Sequence, residues 1–211
     1  VESGIGFGAE LEVAVAHVLL GFGADVAGLH LLLHDRSEFL QERKGGAPVA
    51  LPKGEMVISV GVHADDGAQD HTGGSGFAND GAQSASGLTV AEVGGFHEFG
   101  VSPFQLRSGA VHPGIPQRSF IRAWFDESQA FIAETLQSQL KLVVAGKLTA
   151  EKAGERIALA FEGSVKQRIA RGIPPPNAPA TIEAKRSSKP LIDRGQLRNA
   201  VRGRSLVKVS Q

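Results

Sequence analysis

LTVAEVGGFHEFGVSPFQLRSGAVHPGIPQRSFIRAWFDE, residues 88–127, is the stretch whose reading decides the fold. Leu88–Phe99 mixes valines with paired glycines and is expected to be a strand, antiparallel to an earlier one at Met56–His63. Gly100 then allows a positive-φ turn, Ser102–Gly114 is a loop, and Pro116 directs the chain into a helix. That helix is expected over Phe120–Gly146, because Ala123, Trp124, Phe131, Ile132, Leu136, Leu140 and Val143/Val144 form a broad apolar stripe. Arg118, Arg122 and Asp126 recur every four residues, which predicts one charged ridge on its first turns.

Upstream, MVISVGVH at Met56–His63 sets Ile58, Val60 and Val62 against Val57, Ser59 and Gly61, the period of a strand. Between the two strands, Ala64–Gly87 holds six glycines with many Asp, Ser, Asn and Gln, so it is expected to be a long loop that orders on a neighbour. Before it, Ala9–Leu20 and Val26–Arg43 space their leucines and valines as helices would, predicting a helical N-terminal extension over residues 1–50, although the first part also reads as a strand.

Downstream, Thr149 is an N-cap residue, and Ile157, Phe161, Val165 and Ile169 make a helix face that ends at Gly172 before Pro174–Pro176. Ala180–Lys185 is extended or briefly helical, Pro190–Val201 holds a short helix entered through Asp193, and Ser205–Ser210 is a last strand. The fold class expected is α+β: a small, mainly antiparallel sheet packed with two long helices, in a domain spanning residues 51–211.

The chain has 211 residues and no cysteine, which excludes disulfides and thiolate metal sites. Its formal charge is zero, but residues 1–139 carry 7 Lys+Arg against 17 Asp+Glu, and residues 140–211 carry 15 against 5. Two halves of opposite sign suit head-to-tail subunit contacts, or a basic surface near nucleic acid. Lys185, Arg186, Arg194, Arg198, Arg202 and Arg204 are the cations that would meet DNA or an acidic partner. They lack the interleaved aromatics that single-strand binding favours. The apolar run Leu11–Leu33 contains Asp25 and two histidines, which argues against a membrane span.

His63, Asp65 and Asp66 with His97 and Glu98 are the one candidate metal or catalytic cluster, but two antiparallel strands need not bring those ends together. Turn chemistry at Asp65-Asp66-Gly67 is the simpler reading. No nucleophile elbow, zinc helix motif, phosphate loop or dinucleotide fingerprint occurs. The glycine cluster at Gly73–Gly76 is followed by no Lys-Ser/Thr pair and no helix start. An enzyme, a cofactor and a metal are therefore not expected.

His97-Glu98-Phe99-Gly100, then Ile115-Pro116-x-Arg118-x-Phe120-Ile121-Arg122, resembles the neck or tail-completion proteins of long-tailed double-stranded DNA phages. The likeness continues at Pro179-Ala-Thr181-Ile-Glu-Ala-Lys185 and at Lys189-Pro-Leu-Ile-Asp193-Arg-Gly195-Gln-Leu197-Arg-Asn-Ala200-Val201. It spans about Met56 to Val209. Val101, Ser119 and Arg194 depart from the family pattern, and Ser102–Gly114 is longer than its usual link.

The resemblance implies a structural virion protein, made in the host cytoplasm, that forms a six- or twelvefold ring. The ring would join the head connector to the tail terminator or tube, with DNA passing through. Glu98, Arg118, Arg122 and Asp126 are the subunit contacts it points to, Arg118 or Arg122 meeting Glu98 within or between subunits. The alternative is a phage nucleic-acid-binding accessory protein that uses the basic C-terminal third.

Overall fold

The computed structural model describes residues 3–5, 14–23, 26–35, 54–63, 65–68, 88–185 and 187–209, those before Met56 by backbone alone. The fold class is α+β. Strands β1 (Ser3–Ile5), β2 (Ala14–Gly23), β3 (Val26–Asp35), β4 (Gly54–His63) and β7 (Val201–Val209) form one antiparallel sheet in the order β1-β2-β3-β4-β7. The helical extension expected over residues 1–50 falls largely outside the described residues. Where the backbone there is described it runs as β1–β3.

The alternation expected in Met56–His63 is present. Met56, Ile58, Val60 and Val62 lie on the core face, in register with Val207, Ser205, Gly203 and Val201 of β7. The last strand starts at Val201, earlier than its composition announces.

Across that face lies α4 (Ala150–Arg171). The Thr149 hydroxyl accepts the Lys152 N–H as an N-cap, and Gly172 ends the helix at φ 97°. Its Ile157, Phe161, Val165 and Ile169 are fully buried. The single helix expected over Phe120–Gly146 is two, α2 (Arg122–Glu127) and α3 (Gln129–Val144), broken at Ser128. Here α3 packs mainly on α4 and not on the sheet, through Phe131 and Phe161 at 6.2 Å. Trp124 meets the Phe161 edge at 5.6 Å and donates its indole N–H to the Ser164 hydroxyl, so its one polar atom is satisfied.

Leu88–Phe99 is the main correction. It is a helix, α1 (Val90–Phe99), and not a strand paired with β4. Thr89 and Glu92 close a reciprocal capping box: the Thr89 hydroxyl accepts the Glu92 N–H at 3.2 Å and the Glu92 carboxylate accepts the Thr89 N–H at 2.7 Å. Its buried face is Val90, Gly94 and Glu98, spaced every four residues. Gly94 gives a close approach there: a Cβ would lie 3.0 Å from Leu197 Cδ1 of α6 (Gln196–Ala200), the short helix that leads into β7. The segment Ala180–Lys185 takes its helical alternative, as α5 (Pro179–Lys185). Of the long loop 64–87, residues 65–68 are described; the turn at Asp65-Asp66-Gly67 is formed, with the Gly67 N–H donating to the His63 carbonyl at 2.8 Å.

Candidate functional site

Glu98 is the centre of the joint that the opening stretch builds. Its side chain is 1% exposed, and its carboxylate faces the start of α2. It accepts from the backbone N–H groups of Phe120 (2.7 Å), Ile121 (3.0 Å) and Arg122 (3.1 Å), from the Ser119 hydroxyl (2.6 Å) and from Arg122 Nε (3.2 Å). A helix start leaves its first N–H groups without intrahelical partners. Ile121, at the cap position, supplies no side-chain acceptor, so Glu98 serves from a different helix. Arg122 also donates to the Glu98 carbonyl at 3.0 Å and lies 4.9 Å from the Phe99 ring.

The expected meeting of Arg122 with Glu98 therefore occurs within one chain. Arg118 does not join it. Arg118 precedes α2, so the three-residue ridge expected on one helix is not formed. Its guanidinium is buried and donates to the carbonyls of Pro175 (2.8 Å) and Pro176 (3.1 Å), tying the joint to the turn after α4. Burial lowers its pKa, but an arginine starts so high that it stays charged at neutral pH. Asp126 is exposed, at the rim of an open groove of about 400 Å³ lined also by Arg122, Ala123, Arg168, Ile173 and Pro174. In that groove Arg168 is paired with Glu127.

From the joint an arm projects. Strands β5 (Phe104–Gln105) and β6 (Val111–His112) pair with each other, and a bridge between Val101 and Ile115 closes the base. Gly114 at φ 86° belongs to that base: a Cβ there would lie 2.2 Å from the Val101 carbonyl oxygen. Phe104 stacks on His112 at 4.7 Å. Phe104 is nevertheless 39% exposed and Val111 71%. Residue composition marked this stretch as a loop; the Ser108-Gly109 turn signal between Phe104 and Val111 is the hairpin cue that reading missed.

The basic cations divide. Arg204 bonds Asp65 (2.6 Å) and Asp66 (2.8 Å), and Arg202 lies 3.7 Å from Glu162. Burial works against the Glu162 charge, but Lys166, the Gly203 N–H and Arg202 outweigh it and hold its pKa below the usual range. Lys185 is half-buried; burial lowers its pKa, Asp193 opposes that, and Arg118 adds to it. Arg194 is exposed, Arg198 is half-buried, and Arg186 lies outside the described residues.

His63 and Glu98 are not brought into one cluster. Among the described residues no group of His, Asp and Glu is arranged to hold a metal ion. Nor is any helix among them long and apolar enough to cross a membrane. His63 is buried, and its Nε2–H donates to the Arg202 carbonyl at 3.2 Å. Burial first, then the charge of Arg204, lowers its pKa; the Arg202 carbonyl, Asp66 and Asp65 oppose this less strongly.

A depressed histidine pKa favours the fold while the ring is neutral. His63 thus contributes fully above about pH 6.5, and its contribution is lost as pH falls through the folded pKa. The carboxylates Asp65 and Glu162, whose pKa values are also lowered, act in a separate window that opens below about pH 4.5. Urea midpoints measured from pH 7.5 to 5 are expected to fall, and His63→Gln is expected to flatten that slope. An unchanged slope in the variant would remove His63 as its cause.

No protein-family model, no curated protein and no solved structure matches the chain.

Proposed function

We propose that this chain is a structural protein of a tailed-phage virion, a ring subunit at the head–tail junction. The supporting observation is that the two sequence patterns carrying the resemblance meet in one joint. Helix α1, which ends in His97-Glu98-Phe99, packs on α6, which follows Lys189-Pro-Leu-Ile-Asp193. Glu98 fixes the Phe120–Arg122 segment, and Arg118 fixes the turn at Pro175–Pro176. Glu98, Arg118 and Arg122 thus serve the ring indirectly, by holding each subunit's arm and groove in one relative orientation. A closed ring needs two different patches on each subunit, and the exposed arm and the Asp126 groove are two such patches.

The partners under this reading are other copies of the chain, the head-closure or connector ring and the tail terminator, with double-stranded DNA passing non-specifically. The accessory DNA-binding alternative is weakened by geometry. Arg202 and Arg204, two of its cations, already face carboxylates of the same chain. Proteomic copy counting in purified virions tests the proposal: six or twelve copies per particle are expected. Absence from virions, with DNA affinity that falls steeply with salt, would favour the alternative.

A further inference from the structure

The turn that follows β4 is closed on a buried histidine. His63 is 4% exposed, and its Nε2–H donates to the Arg202 carbonyl of β7. Gly67 sits tightly between two elements: a Cβ there would lie 2.6 Å from Val62 Cγ1 of β4 and 2.7 Å from Ala91 Cβ of α1. Its N–H donates to the His63 carbonyl at 2.8 Å, and its carbonyl accepts the Ala91 N–H at 3.2 Å. The turn thus ties the end of β4 to the first turn of α1. From β7, Arg204 clamps it by bonding both Asp65 and Asp66.

The charges acting on His63 are Arg204 of β7 and Asp66 and Asp65 of the turn; Val26, opposite it in β3, does not titrate. Nε2 already carries a hydrogen, so a further proton goes to Nδ1, for which no acceptor exists among the described residues. The protonated ring is then a buried cation near the Arg204 guanidinium, with one donor unsatisfied. Relief requires water at the ring. Strand β7 is held in place by its whole ladder with β4. The turn is held by two backbone bonds and by ion pairs, and the Asp65 side chain is 69% exposed. Surface pairs of that kind stabilise little, so the turn is the part that yields.

We propose that His63 and the Arg204–Asp65–Asp66 clamp form a pH-sensitive latch. Protonation of His63 opens the turn at residues 65–67 and frees the start of α1 from β4, while the sheet stays formed. The Arg204 bond holds the Asp65 pKa below the usual carboxylate range, so mild acid acts through the histidine. The latch belongs to a single chain and stands apart from the virion reading.

Amide hydrogen exchange on the full chain, followed by NMR from pH 7.5 to 5.0, tests it. Protection factors are compared, so that the intrinsic pH dependence of exchange cancels. Gly67 protection is expected to fall about tenfold or more over this range, with or without 1 M urea, because a local opening exposes little surface. Ser59, in the middle of β4, is expected to remain about a hundredfold better protected than Gly67 at pH 5.0 and to lose protection in urea. His63→Gln keeps a donor for the Arg202 carbonyl but cannot be protonated, so Gly67 protection is expected to stay constant within about twofold. Arg204→Gln is expected to move the fall to higher pH, because it removes the cation near His63 and leaves two aspartates unopposed.

The latch is overturned if Gly67 protection is flat across this range, or if it falls equally in His63→Gln. A fall moved to lower pH in Arg204→Gln overturns it too. Urea that accelerates Gly67 and Ser59 exchange alike makes the opening global and also removes the latch. That last comparison uses the parent chain alone, so it decides the matter even where a variant does not fold.

Discussion

Replacing Glu98 with alanine is expected to destabilise the chain by about 3–5 kcal/mol, the usual consequence of removing one partner from a buried, hydrogen-bonded charge. The reasoning starts from the donors left behind. Three backbone N–H groups at Phe120, Ile121 and Arg122 lose their acceptor, and two of these bonds are fully buried. Each unsatisfied buried group costs about 1–3 kcal/mol, and partial entry of water brings the sum down. For a domain of this size the melting temperature is expected to fall by about 10 °C.

Glu98→Gln keeps one carbonyl oxygen but turns an amide N–H₂ toward N–H donors, so about 1–3 kcal/mol is expected. Arg122→Met should cost only about 1 kcal/mol, because the Arg122 side chain is 32% exposed and water can replace it. The order Ala, Gln, Met in decreasing severity is the test, read by urea unfolding. A Glu98→Ala variant as stable as the parent would show that the carboxylate is not what holds α2.

The same residue explains why the opening stretch was misread. The buried face of α1 is Val90, Gly94 and Glu98. Helical periodicity is read from apolar residues, and only one of these three is apolar. What remained visible was valine and glycine, which argue for a strand or a break. A local signal did exist: Thr89-x-x-Glu92 is a capping box before a possible helix, and both of its hydrogen bonds are formed. Propensity was outweighed by capping and by tertiary packing on Leu197 and Phe120.

Where the buried face is apolar, the sequence was enough. The stripe Ile157-Phe161-Val165-Ile169 between Thr149 and Gly172 located α4 to within a residue, and the alternation in Met56–His63 located β4. The site was half legible. The expectation that Arg118 or Arg122 would meet Glu98 left the choice of arginine and of chain open, and the role of Glu98 as a cap for another helix was not foreseen. That role needs two segments about 22 residues apart to meet, and no local pattern records it. The placement of Arg118 on proline carbonyls was equally hidden, because backbone acceptors leave no trace in composition.

Substituting Gly203 with alanine is expected to be the most damaging change in the sheet, although glycine in a strand usually weakens it. A Cβ at this position would lie 2.0 Å from the Ala158 carbonyl oxygen and 2.5 Å from its carbonyl carbon. Both obstacles are backbone atoms of α4, and no rotamer relieves them. The close approach is also bonded, since the Gly203 N–H donates to Glu162 on the same helix at 2.9 Å. Moving α4 away would open the contacts of Ile157 and Phe161 along the sheet, so about 3 kcal/mol or more is expected from overpacking.

Gly154, one turn earlier on α4, makes the matched comparison. Its added Cβ would meet the Ser205 side chain, at 2.9 Å from Cβ and 3.1 Å from Oγ. That obstacle can be removed, so Gly154→Ala should recover stability when combined with Ser205→Gly, whereas no side-chain change at 158 can rescue Gly203→Ala. Gly163, farther along α4, has nothing within 4 Å of its built Cβ. Alanine there should stabilise by about 0.5–1 kcal/mol through helix propensity alone. Thermal melts of the three variants decide the matter. If Gly203→Ala melts within 2 °C of the parent, α4 does not lie against β7 at this spacing, and the placement of the core between them is wrong.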